Sequence, residues 1–211
     1  MHSISGVPVD ARALVVLSVL ISIAGTRAYL ADILRGTTQP NKVSWLMWAA
    51  GPLIGASAAM AAHADGWTTA RVFSAGVLSL AIFLISFVSP RGGWRLTWAD
   101  ILCGFLSGVA MVLWLRCDSP RTAIVMAVVA DIFATLPTLQ KAWKKPKSET
   151  AATYVAGLAS AVVVLPTIPS LTVEHLAFQL YFVGLNMVIL AVIFLRKGLT
   201  PTVQIEDLPL L

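Results

Sequence analysis

The sequence predicts an all-α membrane protein of seven transmembrane helices, built as two parallel triple-helix bundles joined by a lone helix. Three observations carry that prediction. Only 12% of the 211 residues are charged and 58% are hydrophobic, with a mean hydropathy of +0.84. A soluble domain carries about 25% charge and about 45–50% apolar residues, so most of this surface does not face water. Seven apolar runs each approach the ~17–25 residues that cross a bilayer. Finally, one stretch of the chain is written twice, 106 positions apart.

The runs fall at roughly 12–34, 43–62, 70–90, 98–116, 122–142, 152–172 and 175–196. The first, from Ala13, leads straight into the repeated stretch and reads as a retained helix, not a cleavable signal. The fourth and fifth are parted only by Cys117-Asp118-Ser119-Pro120, in which Pro120 suits a helix start. The sixth ends in LPTIPS, where Pro166 and Pro169 stop it. Connections are short, and residues 199–211 form a tail. Cys103 and Cys117 lie on one predicted helix, about 21 Å apart at 1.5 Å per residue, too far for a disulfide that needs about 7 Å.

The repeated stretch is Ala28–Gly51, which lies without a gap on Ala134–Gly157. Ala28, Leu30, Pro40, Ala50 and Gly51 meet identical residues at Ala134, Leu136, Pro146, Ala156 and Gly157. Arg35 meets Lys141, Ser44 meets Thr150, Trp48 meets Tyr154, and the same offset brings Arg91-Gly92 onto Lys197-Gly198. Such self-similarity marks a duplicated unit.

Loop charge sets the expected orientation, because cytoplasmic loops hold the excess of lysine and arginine. One side holds Arg35, Lys42, Arg91, Arg95, Lys141, Lys144, Lys145, Lys147, Arg196 and Lys197; the other holds Arg12, Arg71, Arg116 and Arg121. That places the N-terminus outside and the C-terminus in the cytoplasm. The repeats begin at helices one and five, four crossings apart, so both units point the same way. Bundles over 12–92 and 118–198, a linker helix over 98–116 and a cytoplasmic tail over 199–211 satisfy this arrangement. Parallel repeats share an axis along the membrane normal, and transport sites lie between such halves near the midplane.

The chain resembles the PQ-loop superfamily, which includes the SWEET sugar transporters and the lysosomal amino-acid exporters. The likeness covers about residues 12–198 and rests on the three-one-three plan, the outside N-terminus and the basic loop after the first helix of each unit. It is best in LPTLQKAWKKPKSET, and Ser44-Trp45 after Pro40 is similar to the same place in the first unit. The family's Pro-Gln pair reads Pro137-Thr138 in the second unit and Ala31-Asp32 in the first. The resemblance implies a small-solute carrier (sugar, amino acid or similar metabolite) that rocks two bundles in alternating access. Asn186, the one amide at the centre of helix seven, resembles the asparagine with which SWEETs hold their solute; its first-unit counterpart is Leu80, beside Ser79.

Asp131 is the sharpest single feature. It lies half way along the fifth helix, where a charge costs several kcal/mol unless paired, hydrated or neutralised. It reads either as a protonatable, substrate-facing carboxylate, the candidate for proton linkage, or as a fixed strut between bundles. Arg27 is its expected partner across the pseudo-twofold axis, the alternative being an arginine that snorkels to the interface. Asp32 pairs with Arg35 at i,i+3. Pro137 loosens the fifth helix near its cytoplasmic end, as a gate or hinge would require, though proline is common in membrane helices.

Trp48 and Tyr154 are repeat equivalents, either a stacking clamp for a solute or ordinary packing aromatics. With Asn186 and Ser79 they form the expected substrate-binding set. Tyr29, Trp45, Trp94, Trp98, Trp114 and Trp143 read as interfacial belt residues. Gly51-x3-Gly55, Gly104-x3-Gly108 and Gly157-x3-Ala161 are close-packing signals.

Other functions are disfavoured. No His-Glu-x-x-His, Walker loop or clustered metal ligand occurs, so neither a metal nor another cofactor is expected, and no nucleophile–base set marks an enzyme. The net charge of +5 belongs to basic loops, and no nucleic-acid partner is expected. The expected partners are a small-molecule solute and the lipid bilayer, with a homo-oligomer left open. Short loops suggest a bacterial inner (plasma) membrane. EDLPLL at Glu206–Leu211 fits an acidic dileucine sorting pattern loosely. The competing reading is a non-transporting receptor or an assembly or sorting protein on the same fold.

Overall fold

The computed structural model describes residues 10–61, 63, 66–90, 96–116, 119–168 and 173–199. The tail beyond Leu199, Cys117 and the stretch 91–95, which holds Trp94 and the Arg91-Gly92 match, lie outside the described residues. The elements are α1 (Ala11–Leu34), α2 (Lys42–Ala61), α3 (Gly66–Ile85), α4 (Trp98–Leu115), α5 (Pro120–Lys144), α6 (Ala151–Val163) and α7 (Val173–Leu199), with single 3-10 turns after α3, α5 and α6. Among the described residues there is no strand, as expected where hydrocarbon leaves no water for backbone groups outside a helix.

Local chemistry explains the helix ends. Asp10 caps α1, its Oδ1 accepting from the backbone N–H groups of Arg12 and Ala13 at 3.0 and 3.3 Å. Thr97 and Asp100 form a reciprocal capping box at the start of α4. Pro120 opens α5. The helix α6 stops after Val163, and Pro166 continues the chain only as a 3-10 turn over Leu165–Thr167. Six of the described helices are therefore long and apolar enough to cross a bilayer, and α6 is shorter.

Packing shows the same solvent preference from the side-chain level. Leu20, Leu84, Phe105 and Leu195 project outward, while Ser18, Ser44, Ser107, Thr135, Thr138 and Ser160 are buried. Lipid tails are as apolar as leucine, so close backbone approach and interhelical bonds, not hydrophobic burial, hold such helices together. Ser107 Oγ, for example, donates to the carbonyl of Ala130 at 2.8 Å and ties α4 to α5.

Close approach occurs where the glycines allow it. A Cβ on Gly25 would stand 2.3 Å from Ala156 Cβ, so α1 and α6 touch there. A Cβ on Gly104 would meet Val43 at 2.9 Å, and one on Gly157 would meet Asn186 Oδ1 at 2.7 Å. A Cβ on Gly51 or Gly108, expected to pack in the same way, would meet nothing from a neighbouring helix within 4 Å. A small residue permits contact without compelling it.

The helices enclose a central space. Helix α1 packs on α3 and α6, α5 packs on α7 and α2, and α4 packs outside against α5 and α2. The connections 35–41 and 145–150 meet at one end of the bundle, where Gln39 N donates to the carbonyl of Ser148 at 3.1 Å. This is called the latched end below.

Candidate functional site

A cavity of about 250 Å³ runs between α1, α2, α3, α5, α6 and α7. It reaches from Arg71 and Phe178, each five residues into its helix from the opposite end, to Trp45 and Tyr154 near the latched end. Its volume lies just below the ~300–1,000 Å³ of sites for drug-sized ligands, which suits a metabolite. The wall mixes serine and threonine hydroxyls with aromatic and aliphatic groups.

The structure brings most of the sequence-predicted residues together here. Trp48, Tyr154, Asn186, Ser79 and Asp131 all line the cavity, although they come from five different helices. No ring contact joins Trp48 to Tyr154 among the described residues. Trp48 instead meets Trp45 edge to face, with centroids 5.0 Å apart. Asn186 turns its amide N–H back to the carbonyl of Phe182 at 2.8 Å, and its oxygen occupies the space that Gly157 leaves.

The expected Arg27–Asp131 ion pair is not formed. Arg27 is exposed on α1. Asp131 Oδ2 accepts instead from the hydroxyl of Tyr181 on α7, at 2.8 Å. Depth along a helix does not fix the direction in which a side chain leaves it. Pro137 lies within α5 without ending it, and it is buried away from the central cavity, beside Leu136 and Trp143 in a second, apolar cleft. A proline that does line the central cavity, Pro52 inside α2, carried no role in the sequence reading.

The belt assignment also needs correcting. Trp98 and Trp143 are exposed as expected, but Tyr29 and Trp45 are 0% and 6% exposed. Their rings pack at 5.0 Å and, with Tyr154, close the cavity towards the latched end. Beneath them lies the carboxylate of Glu149, whose residue is 2% exposed. Its Oε2 accepts from Tyr29 at 2.9 Å and from Tyr154 at 3.2 Å, while Lys141 Nζ lies 2.5 Å from Oε1. Trp45 Nε1 donates in turn to the Tyr29 hydroxyl at 3.4 Å. Side chains from three helices therefore converge on one buried charge carried by the second connection.

The lysine extends the lock. Lys141 Nζ also donates to the carbonyl of Gln39 in the first connection, and Lys197 Nζ reaches the carbonyl of Glu149 at 3.3 Å. Beside it, Thr150 Oγ1 donates to Asp32 Oδ2 at 2.7 Å. A carboxylate only accepts, so the Thr150 proton is committed there, and Thr38 must be the donor in the 2.5 Å Thr38–Thr150 contact. Asp32 keeps its expected contact with Arg35 at 3.5 Å, an exposed pair of little energetic weight. Glu149 and Lys141 were legible only as an acid and a base in a charged loop.

Fold and cavity together define the class: an all-helical integral membrane protein with a central cavity of mixed polar and apolar lining, closed at one end. Comparison with known proteins adds no relative, because no family model matches and neither the curated proteins nor the solved structures give a significant match.

Proposed function

We propose that the chain is a small-solute carrier working by alternating access. In this reading the bundles of residues 12–92 and 118–198 rock about the cavity, and α4 links them. The contact scheme supports the doubling behind that division, because α1 and α5 have matching neighbours. Helix α1 packs on α3 and α6, and α5, its counterpart under the doubling, packs on α7 and α2. Loop charge puts the latched end in the cytoplasm. The cavity would then face the outside, with the Lys141–Glu149 lock as the closed inner gate.

One observation carries the reading: a cavity lies beside Asp131, lined by the residues that the doubled sequence nominates. A receptor or assembly protein on the same plan would have that space filled. Solute moves when the lock exchanges its buried contacts for water while the outer halves of α1, α3 and α7 close over the cavity. Asp131, held by Tyr181 alone, is the group whose charge such a cycle can use.

Alternating access can be tested without knowing the solute. In a background of Cys103→Ser and Cys117→Ser, Ser79→Cys should react with an impermeant thiol reagent from the outer face of sealed vesicles. Adding Lys141→Ala should transfer reactivity to the cytoplasmic face. A Ser79→Cys that reacts from neither face in either background would sink the carrier reading in favour of a non-transporting protein.

A further inference from the structure

Arg71 had no place in the sequence reading beyond a tally of loop charges, yet it lines the central cavity. Among the described side chains that line it, Arg71 and Asp131 are the only cation and the only carboxylate. They form no ion pair with each other, and no described residue gives Arg71 a hydrogen bond or a counter-ion. Asp131 receives one bond, from Tyr181 to Oδ2, which leaves Oδ1 without a protein donor.

Opposite charges that face one cavity without meeting are costly, because a charge in a low-dielectric site is repaid only by a partner. The two sites also differ in depth. Arg71 is five residues into α3 and Asp131 is eleven into α5, both counted from the opposite end. Six residues correspond to about 9 Å along the axis. A single small ion cannot satisfy both groups.

We propose that Arg71 and Asp131 form a two-point site for a small zwitterion, with a carboxylate on the Arg71 guanidinium and an ammonium group on the free oxygen of Asp131. The alternatives fail on charge. A simple anion meets Arg71 but leaves Asp131 repelling it, a simple amine does the reverse, and a neutral sugar leaves both groups uncompensated. Arginine suits the outer position because its planar fork binds a carboxylate through two parallel hydrogen bonds. The Ser18, Ser22 and Ser74 hydroxyls, which also line the cavity, donate to backbone carbonyls of their own helices and leave acceptor lone pairs without adding charge. This proposal deepens the carrier reading and rests on the same cavity, but binding can be measured without transport.

The purified full-length protein should be heated with glycine, β-alanine, γ-aminobutyrate and δ-aminovalerate, a series that acts as a ruler of charge separation. Propionate, propylamine and glucose are the controls. One member, or two neighbours, of the series should stabilise the protein at concentrations at least tenfold below any control. Arg71→Gln and Asp131→Asn should each remove that preference, and Arg71→Lys should restore part of what Arg71→Gln loses. Ligand-free Arg71→Gln should melt no lower than the wild type, because no described residue pairs with Arg71.

Equal stabilisation by the controls, an undiminished response in Arg71→Gln, or no response to any member of the series overturns the site. Counterflow in vesicles separates this failure from that of the carrier. Zwitterion binding without exchange leaves the site standing and removes the carrier. Exchange of glucose, equal in wild type and Arg71→Gln, does the opposite.

Discussion

The two ends of the bundle solve the same problem in contrasting ways. At the latched end, Tyr29, Trp45, Lys141, Glu149 and Tyr154 bury a charge and surround it with side chains from four helices. Towards the other end, among the described residues, α1 and α6 are joined by a single side-chain bond, between the Ser22 and Ser160 hydroxyls at 3.0 Å. There the charged groups face a cavity and not each other. The buried lock is strong only while complete: losing one partner strands the other in a low dielectric, whereas groups around a cavity can exchange partners with water or solute. The difference teaches which end holds the helices together and which end leaves a cavity between them.

The largest expected effect breaks that contrast directly. Lys141→Ala leaves Glu149 charged and buried, so it should cost about 3–5 kcal/mol, the usual penalty for halving a buried pair. Denaturant unfolding in mixed micelles would measure it, and a loss below about 1 kcal/mol would show that the lock does not hold this end.

Next comes the backbone contact between the two ends. Gly25→Ala drives a Cβ to 2.3 Å from Ala156 Cβ and should cost about 1–3 kcal/mol as overpacking. Gly51→Ala, with open space around it, should change stability by less than about 0.5 kcal/mol. Equal costs for the two would mean that helix propensity, not contact, governs both.

A smaller effect sharpens the comparison. Ser22→Ala removes the one hydroxyl bridge between α1 and α6 near the cavity and should cost about 0.6 kcal/mol, the average for interhelical hydrogen bonds in membranes. Smallest of all, Arg71→Gln should stay within about 0.5 kcal/mol when no ligand is present. A larger loss would reveal a structural partner for Arg71 and weaken its assignment to a solute.

Much of the site was legible in the sequence. Doubling paired Trp48 with Tyr154, midplane position marked Asp131, and rarity marked Asn186; all four line the cavity. The failures share one cause. The expected Arg27–Asp131 contact used depth along the helix, which 1.5 Å per residue supplies, but not azimuth. These helices are apolar nearly all round, so sequence pattern barely distinguishes the face that meets a neighbour from the face that meets lipid. Tyr29 and Trp45 were placed near the interface for the same reason, though Tyr29 makes a bond to Glu149, 120 residues away.

By itself the sequence determined the number and order of the helices and the length of most of them; α6, expected over 152–172, ends at Val163. Span length and helix stops are local properties of composition and proline placement, fixed by what a bilayer requires of a backbone. Only the tertiary structure decided that Tyr181 and not Arg27 meets Asp131, that Glu149 becomes a buried lock, and that Arg71 faces the cavity. Those outcomes depend on how each helix is rotated against its neighbours, and that rotation is set by close contacts such as Gly25 against Ala156.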